Sequence, residues 1–220
     1  MEKRGPKPKG KVKIKWSANF AYAIGLLVSD GNLSPDGRHI TFVSKDNEQI
    51  NNFLIALDIS VPISYSQSGY TDSKSPRVQF GDVLFYDFLL SIGLMPNKSK
   101  VIGEVSIPQK YFWHFLRGMF DGDGSIHSYL DPRWKSSFMF YTIFSSASKD
   151  YIIWLRKEIY KLSGVLGHVT GKNQKVYQLK YAKADSLIIL RAMYPNRRTL
   201  SLSRKRLKIK EILSIIGERL

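Results

Sequence analysis

The chain has 220 residues, with 34 Lys plus Arg against 18 Asp plus Glu, a formal charge of +16, and no Cys. A hydrophobic fraction of 43% and an aromatic fraction of 13% are enough for a substantial core. The cationic excess therefore points to a polyanionic partner, nucleic acid or an anionic surface, rather than to disorder. The missing cysteines exclude disulfides, zinc ribbons and thiol catalysis, and no stretch approaches the ~18 apolar residues of a membrane span.

Residues 1–15 form a basic arm rich in Pro and Gly, in which Lys7, Lys9, Lys11, Lys13 and Lys15 either follow phosphates or are simply solvated. With no apolar run behind it the arm does not read as a secretory signal, so an intracellular protein is expected. From Trp16 a helix is predicted, capped by Ser17 or Asn19 and stopped at Gly31. A Ser-Pro-Asp-Gly turn at 34–37 leads into a strand over about Arg38–Ser44, where both alternations carry apolar residues and the buried face stays open. A helix from Lys45-Asp46-Asn47 follows, then strands over Ile63–Ser68 and Ser75–Phe80 and a helix over Asp82–Ile92. Residues 94–109 connect to a second series with the same order. Its strands are expected near Ser125–Leu130, Ser136–Ser145, Val165–Thr170 and Val176–Tyr181. Its later helices are expected over Lys149–Leu162 and Lys183–Met193, with a last one near Ile209–Ile216.

The two series share a motif. Gly25-Leu26-Leu27-Val28-Ser29-Asp30-Gly31 lies over Gly118-Met119-Phe120-Asp121-Gly122-Asp123-Gly124, an offset of 93 positions. Ser17, Ala21, Gly25 and Ser29 recur every four residues, a small-residue stripe that lets two helix backbones approach. Gly118 and Gly122 repeat its last two positions, so the two helices are expected to pack together. That packing would bring Asp30 and Asp123 side by side at helix C-termini, where the helix dipole disfavours an anion and each carboxylate repels the other. A hard divalent cation such as Mg²⁺ relieves both problems and can activate water for phosphodiester displacement. Other chemistries fail on the residues. Ile126 and Pro132 occupy the Gly and Glu positions of a calcium loop. There is no Walker loop and no nucleophile elbow, and His39, His114, His127 and His168 lack ligand spacing. On the strands, Val78 and Phe80 alternate with Arg77 and Gln79, which have Gln178 and Lys180 as counterparts. With Arg38, His127, Tyr129, Thr170 and Lys172 these form a candidate surface for a DNA groove.

AIGLLVSDG at 23–31 and LRGMFDGDG at 116–124 resemble the paired motif of LAGLIDADG homing endonucleases, and the likeness runs from about Trp16 onward. The resemblance implies an α+β fold of two pseudo-symmetric αββαββα half-domains, 16–93 and 110–220, whose antiparallel sheets form a saddle over double-stranded DNA. It implies a monomer making a site-specific double-strand break with Mg²⁺, with Mn²⁺ as a substitute and Ca²⁺ binding without cleavage. Asp30 and Asp123 would hold the metal, helped by the carbonyls of Ser29 and Gly122. Lys98 and Lys205 would stabilise developing phosphate charge, and Lys45 would be the polar residue at the strand-to-helix junction. Its second-half equivalent is Ala147, Ser148 or Lys149. Val28 departs from the motif's first acid, which Asp121 retains, and Arg117 is expected to face outward from an apolar helix. Alternatives on the same fold are a maturase for the encoding intron RNA and a catalytically silent DNA-binding regulator.

Overall fold

The computed structural model describes residues 10–68, 71–134, 137–171 and 175–220. Ser17 opens the first helix, α1 (Ala18–Asp30), by accepting the Phe20 N–H at 3.0 Å. The chain then passes through β1 (Gly31–Leu33), β2 (His39–Val43), α2 (Asn47–Leu57), β3 (Ile63–Ser68), β4 (Thr71–Gly81) and α3 (Val83–Ser91). The second series is α4 (Phe112–Asp123), β5 (Ser125–Leu130), β6 (Phe138–Ser146), α5 (Lys149–Ser163), β7 (His168–Thr170), β8 (Tyr177–Tyr181), α6 (Lys183–Met193) and α7 (Ser203–Ile215). Two four-stranded antiparallel sheets result, with orders β1-β2-β4-β3 and β5-β6-β8-β7. The fold is thus α+β, with the same strand order in each half. No described helix is long and apolar enough to cross a membrane.

The halves meet on glycine. A Cβ on Gly25 would collide with the Phe115 carbonyl oxygen and stand 2.7 Å from the Met119 nitrogen, and one on Gly118 would run into the Tyr22 backbone. The α1 and α4 backbones therefore touch, as the small-residue stripe predicts. One apolar cluster continues from Phe42 and Phe53 through α1 and α4 to Phe144 and Leu179.

Each half also sends its closing segment onto the other. Ser148, the cap of α5, donates from Oγ to the Ile102 carbonyl at 2.5 Å. Reciprocally, Asn52 donates to the Ser201 carbonyl at 3.1 Å, Glu48 accepts the Ser203 N–H at 3.0 Å, and Arg204 pairs with Asp46 at 2.8 Å.

Gly31 stops α1 as expected, with φ −83° because the chain runs straight into β1, and an added Cβ would stand 2.6 Å from Leu27 Cα. Three other expectations change. The described part of the basic arm is tied down, since the N–H groups of Lys11 and Val12 donate to Asp82 at 2.6 and 2.9 Å and Val12 is buried; residues 1–9 lie outside the described residues. The last helix begins at Ser203 rather than near Ile209, because its inner stripe starts with a cation, Lys205, ahead of Ile209, Ile212 and Leu213. Arg117 faces inward and is 1% exposed. Its guanidinium donates to the Leu200 and Met193 carbonyls at 2.8 and 2.7 Å and lies over the Tyr22 ring, while the Asp121 charge one turn away offsets its burial.

Candidate active site

Asp30 closes α1 and Asp123 closes α4, so contact between the two helices delivers both carboxylates to one place. The Asp30 carboxylate reaches across the seam: a Cβ on Gly122 would stand 2.6 Å from its Oδ2 and would strike the Ser29 side chain. Burial, and then repulsion from Asp123, raise the Asp30 carboxyl to about 6, against the opposing pull of the Ser29 hydroxyl, Lys205 and Lys98. Loss of solvent also raises Asp123, although the residue stands at the open edge of the site, and Lys205 and Lys98 oppose the shift.

Two buried lysines answer the dipole problem. Lys98, 6% exposed, lies in the short 3-10 turn Lys98–Lys100 and donates to the Gly31 carbonyl. Lys205, 9% exposed, donates to the carbonyls of Phe120, Gly122 and Gly124 at 2.5, 2.9 and 2.7 Å. Each ammonium thus sits on the carbonyl end of a motif helix, where a cation is favoured. Burial lowers both lysines, Lys205 to about 8, while the neighbouring carboxylates hold them up.

At the strand-to-helix junction the side chain that reaches Asp30 is Gln49 and not Lys45. Lys45 is exposed. Gln49, 2% exposed in the first turn of α2, accepts from the Ser44 hydroxyl at 3.1 Å and donates to Asp30 at 3.3 Å. The signal was available, since Gln49 stands one helical turn before Phe53 on the apolar stripe of α2. The caps of α2 and α5 are Asp46 and Ser148, so Lys45 matches Ala147 and Gln49 matches Tyr151. The Tyr151 hydroxyl is buried and meets no hydrogen-bonding partner among the described residues. Burial raises its phenol well above the usual range and the Asp123 charge adds to that.

Asp121, the retained first acid, takes no part in this cluster. It is fully buried and accepts from the Tyr22 and Tyr194 hydroxyls at 2.7 and 3.3 Å and from the Leu202 N–H at 2.7 Å. Burial raises its carboxyl to about 6.

The sheets resolve the open alternation. Ile40, Phe42, Val78 and Phe80 face the core, which leaves Thr41, Val43, Arg77 and Gln79 on the opposite face. In the second half Phe140, Thr142, Phe144 and Leu179 face inward, so His127, Tyr129, Thr170, Gln178 and Lys180 share the other face. Arg77 and Gln178 hold equivalent registers, as do Gln79 and Lys180. Arg38 precedes β2, exposed, with its side chain against Gly81. Lys172 lies outside the described residues. Tyr141, stacked on Tyr129 at 6.2 Å, and His168 were not singled out from sequence but lie on the same face.

Among the described residues no cluster of three or more His, Cys, Asp or Glu side chains forms. What the site offers a cation is the pair of carboxylates Asp30 and Asp123, with the Gly122 carbonyl beside them accepting from Lys205. Such hard, sparse oxygen donors suit a Mg²⁺-type ion that keeps several waters.

No protein-family profile and no curated protein matches the chain by sequence. Its shape matches several solved structures. The homing endonuclease I-WcaI bound to its DNA recognition sequence aligns over 93% of this chain and 94% of its own, with a TM-score of 0.65 at 14% identity. I-DmoI in complex with DNA and Mn covers 82% of this chain and 98% of its own, with a TM-score of 0.53 at 14% identity. Full-length DUF199/WhiA from Thermatoga maritima covers 96% of this chain with a TM-score of 0.58 at 16% identity, and the chain spans 64% of that protein's length. The fold is the LAGLIDADG fold.

Proposed function

We propose that the protein is a site-specific homing endonuclease that breaks both strands of a long, asymmetric DNA target by divalent-metal-dependent hydrolysis. The observation that carries this reading is the arrival of Asp30 and Asp123 together at the ends of the two touching motif helices, backed by Lys98 and Lys205. Neighbours of the same fold bound to DNA support the partner, and the I-DmoI complex with Mn supports the class of cation.

Asp30 and Asp123 would hold the ion, with the Ser29 and Gly122 carbonyls as further oxygen donors. A bound Mg²⁺ or Mn²⁺ would supply Lewis acidity and a water of lowered pKa, whereas Ca²⁺ would support binding alone. The chain's own residues do the rest. Gln49 orients the Asp30 carboxylate. Lys98 and Lys205 keep positive charge in a desolvated place beside the scissile phosphate, where electrostatic stabilisation is strongest. The open sheet faces, with Arg77, Gln79, Gln178 and Lys180, follow the two half-sites, so one chain acts as a monomer on an asymmetric duplex.

Because DUF199/WhiA shares the fold, the deciding test is catalytic. Selection from a randomised DNA library in Ca²⁺ supplies a target, which is then incubated with Mg²⁺. Wild type is expected to cut it, and Asp30→Asn and Asp123→Asn to bind with unchanged affinity but not cut. Binding in Ca²⁺ without a strand break in Mg²⁺ or Mn²⁺ by wild type would assign the chain to DNA binding alone.

A further inference from the structure

The turn ahead of β2 holds a histidine in a defined state. Asp36 Oδ1 accepts the N–H groups of Arg38 and His39, both at 3.0 Å, and its Oδ2 meets His39 Nδ1 at 2.6 Å. The His39 N–H, then the His39 ring and the Arg38 N–H, hold the Asp36 carboxyl down at about 2. Asp36 is therefore an anion wherever an imidazole titrates, and an ionised carboxylate only accepts. Nδ1 must carry a proton in both states of the ring. Nε2 is left as the atom that changes with pH, an acceptor in the neutral ring and a donor in the charged one.

His39 belongs to the open face of the first sheet. It stands two residues before Thr41 with Ile40 buried between them, and it pairs with Gly81, two residues beyond Gln79. The side chains of His39 and Asp36 are 40% and 47% exposed, so their pairing adds little to stability. Around the ring, the Arg38 side chain lies against Gly81, and the Tyr86 hydroxyl of α3 donates to the Ser34 carbonyl. Asp82, next to Gly81, is buried and accepts the Lys11, Val12 and Phe85 N–H groups. The second half repeats the device with a fixed charge. At the end of β5, Asp131 accepts the Arg133 N–H at 3.0 Å and the Arg133 guanidinium at 3.2 and 3.0 Å.

We propose that His39 is a specificity-determining residue of the first half-site, whose Nε2 reads one base pair in the major groove and changes the base it selects with pH. Neutral, it accepts from the N6 amino group of adenine or the N4 amino group of cytosine; protonated, it donates to N7 or O6 of guanine. Arg133, always charged, gives the second half-site no such change. The proposal rests on the DNA-binding part of the endonuclease reading and not on cleavage.

Two measurements on the full chain test it. Without DNA, long-range ¹⁵N–¹H spectra of the imidazoles should show His39 as the Nδ1–H tautomer at about pH 8.5, well above the ~6.5 at which an ordinary imidazole titrates. In Asp36→Asn the amide oxygen keeps the two backbone N–H groups and the NH₂ faces Nδ1, so the neutral ring should switch to Nε2–H. With DNA, each base pair of the Ca²⁺-selected target is varied and binding is competed in Ca²⁺ at about pH 5.5 and about pH 8.5. For wild type, one position should pass from adenine or cytosine at the higher pH to guanine at the lower. The preference should be about fivefold, the equivalent of one net hydrogen bond, with the second half-site unchanged. Asp36→Asn should prefer guanine there at both pH values, and His39→Ala should lose the preference. An Nε2–H tautomer in wild type, the same base at both pH values, or a switch that persists in His39→Ala would overturn the proposal. A switched base in a protein that cuts in neither Mg²⁺ nor Mn²⁺ would support it and reject the endonuclease reading instead.

Discussion

The Asp121 carboxylate accepts the backbone N–H of Leu202 at 2.7 Å, and by this bond the second motif fixes where α7 begins. Tyr22 from the first half and Tyr194 from the end of α6 donate to the same carboxylate. Arg117, one turn away, closes the arrangement on the Leu200 and Met193 carbonyls. Since α7 carries Lys205, a residue remote from the chemistry sets the position of one that is close to it. Asp121→Leu should lower stability by about 3 kcal/mol, because it leaves Arg117 and two tyrosines without their buried partner. It should also reduce cleavage through displaced Lys205. Urea unfolding together with cleavage at a temperature where the variant is folded measures both, and Asp121→Asn should lose less of each.

The seam between α1 and α4 makes a steric prediction. A side chain at Gly25 or Gly118 must push two backbones apart, since the clashing atoms are main-chain and cannot rotate away. Gly25→Leu should therefore cost more than ~3 kcal/mol and abolish cutting, and Gly118→Ala should cost on the order of 1–3 kcal/mol. A Gly25→Leu protein with wild-type melting temperature and activity would contradict the packing.

The acidic site dictates a pH dependence. The Asp30 carboxyl is raised in the folded protein, to about 6. Its favourable contribution is thus complete below its unfolded value and is lost as pH rises through about 6. Asp30→Asn should match wild type in stability below about pH 4 and exceed it above pH 6 in chelator, by about 1–2 kcal/mol after solvent screening. Added Mg²⁺ should stabilise wild type and not the variant. Melting curves from pH 4 to 8, with and without cation, read this out.

The junction residues can be separated. Gln49→Leu should lower cleavage about tenfold, a loss of ~1.4 kcal/mol of transition-state stabilisation, with DNA affinity retained. Lys45→Ala, which removes an exposed side chain, should weaken binding in a salt-dependent way if it meets phosphate, and leave the cutting rate at saturation unchanged.

Much of this architecture is legible in the residues because it is periodic. The stripe Ser17, Ala21, Gly25, Ser29 announces the seam, and the repeated Asp-Gly announces the paired carboxylates. What escapes is carried by side chains whose roles depend on remote partners. Arg117 reads as an outward-facing cation because nothing local supplies the Leu200 and Met193 carbonyls that receive it. Lys205 hides the start of α7 because an inward lysine breaks the apolar pattern. Gln49 escapes because the resemblance puts the polar position of the junction at Lys45, and only the fold brings the side chain one turn further on against Asp30. The alternation of β2 cannot be settled from its own residues, and only pairing with β4 decides that Ile40 and Phe42 point inward.

The exchange of closing segments has a thermodynamic meaning. Ile102 is held by a residue of the second half, and Ser201 and Ser203 by residues of the first. Neither half owns the last part of its own stability. Melting one removes the anchor of the other, so a chain that looks like two repeats should unfold as a single cooperative unit.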